Sequence, residues 1–150
     1  MRTVLIAVGL SLAGVICLLL FLKLVFGAIR RRLVSEVAAR FSERDILKQS
    51  IGANFFGRES KGMGQVRGNG ALVLTGQDLW FLLVVPRREI SIPLRDVTAV
   101  GTKKSHLGKS VLRPLLHVQF RSDGRDDSIA WWVVDPDAWC TAIDHARSSL

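Results

Sequence analysis

Three hydrophobic patterns follow one another along the chain. The first is a block. Residues 3–22, TVLIAVGLSLAGVICLLLFL, carry no charge, and apolar residues resume after Lys23 with LVFGAI. The second is a repeat: Ile29, Leu33, Val37 and Phe41 recur every fourth residue, with Val34 and Ala38 beside them and arginines and glutamates on the other faces. That period predicts an amphipathic helix over 29–50. The third, from Ile51 onward, is a series of short apolar runs separated by turn residues.

A helix needs roughly 20 apolar residues to cross a ~30 Å hydrocarbon core. The block meets that length and predicts a transmembrane anchor over 1–28. A cleaved signal peptide is the competing reading, but its apolar region is usually ~7–15 residues. Arg30, Arg31 and Arg32 also follow directly, as in a stop-transfer signal. The basic flank belongs on the cytoplasmic side. The expectation is a single-pass protein of the cell inner membrane, N-terminus out and C-terminus in. Gly9 with Ala13 and Ala7 with Ser11 have the small-residue spacing that lets two membrane helices approach. The 29–50 helix could extend the anchor, lie on headgroups or pack on the domain that follows; a juxtamembrane connector is the preferred reading.

In the third region, ALVLT (71–75) and DLWFLLVV (78–85) flank Gly76-Gln77, a two-residue hairpin turn with glycine first. EISIPL (89–94), VTAVGTK (97–103), LLHVQF (115–120) and SIAWWVV (128–134) follow, with a turn at Ser122-Asp123-Gly124-Arg125. An earlier pair around ANFFGRE and GQVRG is interrupted by glycines. About seven strands with no helical period between them favour an antiparallel meander. Asp135-Pro136-Asp137 then starts a helix, with Asp as cap and Pro in the first turn. Trp139, Ala142, Ile143 and Ala146 share one of its faces, and Trp139 is the expected plug of the sheet.

The stretches GALVLTGQDLWFLLV, REISIPLRDVTAV, LLHVQFRSDG and IAWWVVDPDAW together resemble the PH-like superfold, within it the GRAM and bacterial PH-like branches. The likeness covers about 70–150. It implies a PH-like barrel or sandwich capped by the C-terminal helix, over a domain of 51–150. It also implies a module that binds anionic lipid or a protein segment.

Charge and chemistry narrow this further. The net charge is +8, and all but Arg2 and Lys23 of the 21 basic residues lie beyond the apolar block. Cys17 and Cys140 are too separated in environment to form a disulfide framework. The densest basic stretch is GTKKSHLGKS. Its Gly108-Lys109-Ser110 imitates a phosphate-binding P-loop, but the first glycine is misplaced and no helix follows. The preferred reading is a solvated basic loop that at most senses membrane charge; the alternative is an anionic-headgroup site made by Lys103, Lys104, Ser105, His106, Lys109 and Arg113, with Arg87 and Arg88 of the PRRE turn as a second basic group. His117 reads as a satisfied structural residue inside an apolar strand. The Asp126-Asp127 and Asp135/Asp137 pairs flank a turn and cap a helix. No grouping of nucleophile and base, and no metal spacing, is visible. The expectation is a binding or scaffolding module without cofactor, acting on lipid or protein rather than nucleic acid. The alternative is an enzyme acting on a phosphorylated substrate through the 103–110 loop.

Overall fold

The computed structural model describes the backbone from residue 2 and the side chains from residue 14. One long helix, α1 (Arg2–Arg40), leads into seven strands and a closing helix. The strands are β1 (Ile46–Arg58), β2 (Gly68–Thr75), β3 (Asp78–Leu83), β4 (Arg88–Pro93), β5 (Val97–Lys103), β6 (Leu115–Ser122) and β7 (Arg125–Trp132), and the last helix is α2 (Pro136–Ser148). All pairings are antiparallel, in the order β4-β3-β2-β1-β7-β6-β5.

β1 organises the sheet. Residues 46–55 pair with β2, residues 54–58 pair with β7, and the two pairings overlap only at Asn54 and Phe55. The register slips at Gly52 (φ 102°) on one side and at Gly57 (φ 121°) on the other. Both glycines hold positive φ, which a side chain would resist, and bulges there bend the strand. β2-β3-β4 therefore folds against β7-β6-β5. Phe55, Leu72, Leu74, Phe81, Leu116, Val118, Ile129 and Trp131 meet in one core, closed by Trp139, Ile143 and Ala146 of α2. Each such fully buried side chain contributes about 1.5–3 kcal/mol relative to exposure. Asp135 caps α2 by accepting from Ala138 N at 3.0 Å, and Trp139 is the expected plug.

The sheet is not closed into a barrel: β4 and β5 remain its two edges. The barrel alternative is thereby overturned, because β1 bends the sheet onto itself without bringing those edges into register. Ile46 to Ser50, expected as helix, are strand.

Among the described residues no helix is long and apolar enough to cross a membrane. The expected anchor over 1–28 is overturned, and with it the N-out/C-in topology and the inner-membrane location derived from it. Within the described side chains the uncharged run stops at Lys23, and Arg30, Arg31 and Arg32 follow. Residues 1–13, with the Ala7/Ser11 and Gly9/Ala13 pairs, lie outside the described side chains. The last part of α1 has a clear role. Leu33 and Val37, with Ile29 and Phe41, cover Ala71, Val73, Trp80 and Leu82 on the outer face of β2 and β3. The uninterrupted apolar runs ALVL and LWFLL follow from this, since both faces of those strands are buried.

Candidate functional site

One row of paired residues, Leu116–Trp131–Phe55–Gly68, crosses the sheet where β1 bends. The β5–β6 loop leaves the sheet at this row through Lys103, paired with Leu115. The β3–β4 loop leaves it beside Val84, whose N–H donates to Asn69 O at 3.1 Å. The β1–β2 loop lies between them and touches both. Gly68 approaches Val85 so closely that a Cβ would sit 3.1 Å from its carbonyl, and Lys109 Nζ donates to Gln65 O at 2.8 Å. The three loops form one connected surface.

The β5–β6 loop is a flap folded onto the outer face of β1, β7 and β6. His106 N and Lys109 N donate to each other's carbonyls, both at 2.9 Å. Ser110 Oγ donates to Lys104 O at 2.7 Å. Leu107, with φ 49°, points at Gly57: a Cβ there would lie 2.8 Å from Leu107 Cδ1. His106 is buried and its ring meets that of His117 edge-on, with centroids 5.4 Å apart. His117 is not the satisfied residue its strand position suggests, because its Nε2 has no partner within the protein; the same holds for His106 Nε2. Burial is the main cause that depresses both imidazoles, His117 to about 4.

The β1–β2 loop is fastened from beneath. Gln65 accepts from Arg58 N at 3.1 Å and donates to Arg58 O and Gly62 O, each at 2.6 Å. Asp127, buried at the start of β7, accepts from Arg58 Nε, from Ser60 N at 2.9 Å and from Ser60 Oγ at 2.7 Å. Burial alone would raise its carboxyl; the Ser60 and Arg58 hydrogen bonds outweigh that and leave it lowered. Ser128 Oγ donates to Glu59 at 2.5 Å. The Asp126-Asp127 neighbours thus divide: one is the loop's fastening and the other is an exposed strand residue paired with Arg121.

The structure sorts the basic residues expected at a site. Lys109 is tied to Gln65, His106 is a wedge under the flap, and Arg87 forms two hydrogen bonds with Glu36 of α1 at 2.6 and 2.8 Å. Lys103, Lys104, Ser105, Arg88 and Arg113 remain exposed, Arg113 over the Trp132 ring at 6.0 Å and Arg88 over Phe55 at 5.4 Å. Arg67 joins them from the β1–β2 loop, lying 3.9 Å above the Phe56 ring, whereas Lys61 of the same loop lines a pocket with Asp123 and Asp126 at the β6–β7 turn. Among the described residues none of these exposed cations is in a salt bridge. The sequence reading missed the apolar residues between them: Met63, Val66, Val85 and Leu112 are exposed on the same three loops, Leu112 at 99%. Their positions in turn-rich segments were the available signal. Among the described residues no group of three or more His, Cys, Asp or Glu could hold a metal.

No family model and no curated protein matches the chain. Solved structures do match. A chain of the 8S snRNP assembly intermediate is similar over 71% of this chain and 85% of its own, with 15% identity and a TM-score of 0.55. The C-terminal domain of an unknown protein from Leishmania infantum is similar over 82% and 97%, with 15% identity and a TM-score of 0.50. The Vps36 N-terminal PH domain is similar over 69% and 79%, with 14% identity and a TM-score of 0.48. At these identities the first two likenesses concern the fold alone.

Proposed function

We propose that the chain is a non-catalytic, PH-like binding module whose three connected loops adsorb to an anionic lipid surface. The observation that carries this reading is the mixture at one surface of exposed apolar tips and unpaired cations: Met63, Val66, Val85 and Leu112 beside Arg67, Arg88, Lys103, Lys104 and Arg113. Cations near an anionic leaflet contribute about 1 kcal/mol each. Apolar tips entering the headgroup region add roughly 25 cal/mol per Å² removed from water. Peripheral adsorption of this kind needs no membrane-spanning helix. The fastened β1–β2 loop and the folded flap hold the groups in place before contact, which lowers the ordering cost of binding.

The test is a reporter on the surface itself, so that contacts made elsewhere do not register. An environment-sensitive dye at position 112, introduced as Leu112→Cys in a full chain carrying Cys17→Ser and Cys140→Ser, should shift to the blue with phosphatidylglycerol vesicles. It should not shift with phosphatidylcholine. Lys103→Glu, Lys104→Glu and Arg113→Glu together should abolish the shift. An unchanged spectrum on anionic vesicles, or a shift indifferent to charge reversal, would sink the proposal.

A further inference from the structure

The flap is held down by a contact that chemistry can switch. His106 from the flap and His117 from β6 meet edge to face in a buried space. A neutral imidazole carries one donor and one acceptor, so a bare Nε2 leaves one neutral acceptor unmet, a smaller cost than an unmet charged donor. An imidazolium carries donors on both nitrogens. In this space the new N–H would find no acceptor, since each Nε2 is buried without a partner in the protein.

We propose that the His106–His117 contact is a pH-sensitive latch, which keeps the β5–β6 flap on the sheet at neutral pH and releases it in mild acid.

The surrounding charges act in both directions. Lys103, at the end of β5, disfavours a second positive charge on either ring. Glu59 favours protonation of both rings and Asp127 that of His106. Those carboxylates are already engaged, Glu59 by Ser128 Oγ and Asp127 by Arg58 and Ser60. On β1, the Gly57 backbone hydrogen-bonds to His106 and partly offsets its burial. Burial still dominates at both rings.

The sign follows from which state binds protons better. With the flap open and the ring in water, His117 returns to its ordinary value of 6.5, against about 4 when covered. The open state therefore binds more protons between those values, and opening rises as pH falls through that window. From pH 7.5 to pH 5, His117 alone increases the opening constant roughly thirtyfold. Release breaks the Lys109–Gln65 bond and uncovers Phe56, Leu115 and Ala130. The strands beneath keep their own ladder. The latch is a property of the flap and holds whatever the loops bind.

Hydrogen exchange on the full chain reads this directly. The amides of His106 and Lys109, corrected for the intrinsic pH dependence of exchange, should lose protection roughly thirtyfold between pH 7.5 and 5. The β3 amides should not change over the same range. His117→Phe should remove most of the slope of the flap profile, and the double variant His106→Phe/His117→Phe all of it. A flap profile that is already flat, or a slope that survives in the double variant, overturns the latch. Imidazole titration by NMR in the unaltered chain provides a measurement independent of the variants' folding. Both rings titrating near 6.5 under a flap that stays protected would also overturn it.

Discussion

Gly57→Ala is the sharpest test of how β1 turns the corner. The residue sits at φ 121° where the β1–β7 register slips. An alanine held in so sparsely populated a region costs about 1–3 kcal/mol. Its Cβ would also sit 2.8 Å from Leu107 Cδ1 and 3.3 Å from Gln65 Nε2. Leu107 must then move; its Cδ1 is the end of a flexible, half-buried side chain, so the crowding adds about 1 kcal/mol. The variant should therefore lose about 2–4 kcal/mol, a large part of the 5–15 typical of a domain. Leu107→Ala alone should cost about 1–2 kcal/mol, since the side chain is only half-buried. In the double variant the crowding disappears while the strain remains, so the two losses should fall short of additivity by about 1 kcal/mol. Urea unfolding followed by tryptophan fluorescence measures all four corners of the cycle. A Gly57→Ala protein within ~0.5 kcal/mol of the parent would refute the bend. Strict additivity would refute the Leu107 contact.

Two further outcomes follow from buried contacts. Leu33→Ala should cost about 2–4 kcal/mol in the same assay, because Leu33 is buried against Ala71, Val73, Trp80 and Leu82; a neutral result would mean α1 does not dock. Arg58→Ala should cost about 2–4 kcal/mol, leaving the Asp127 carboxylate covered without its guanidinium. Asp127 has a folded value lowered below 3.8. It contributes stability above that value, and this stability is lost as pH falls through the folded one. The same variant should therefore raise the midpoint of acid unfolding, and an unmoved midpoint would deny the pair a role.

The meander from β2 to β7 was legible because its turns are written locally. Gly76-Gln77 and Ser122-Asp123-Gly124-Arg125 sit where the chain reverses, and VTAVGTK marks β5 to the residue. β1 was obscure for a physical reason. Gly52 and Gly57 look like strand breakers, yet they are the bulges that let one strand serve two half-sheets. The docking of α1 had two separate traces: the fourfold repeat of Ile29, Leu33, Val37 and Phe41, and the doubly apolar strands β2 and β3. Neither names its partner alone, and the apolar block before them drew the helix toward a membrane reading. Within the site, exposure of Lys103 and Lys104 could be inferred from their loop. The engagement of Lys109 could not, because its partner is a backbone carbonyl. Arg87 meets a glutamate 51 positions away, and Arg58 meets an aspartate 69 positions away. Such pairs exist only once the chain has folded.

The sharing of β1 also constrains the order of assembly. Its pairing with β2 joins near neighbours in sequence, whereas its pairing with β7 joins Asn54 to Trp132 and Arg58 to Ile129. Contacts between such distant segments form slowly, since a long intervening chain must first be immobilised. During synthesis the first half-sheet can close while the second is still unmade, with Phe55 and Phe81 facing water until β7 arrives. That interval is when the chain is most exposed to sticking to its neighbours, and when a chaperone would have most to hold.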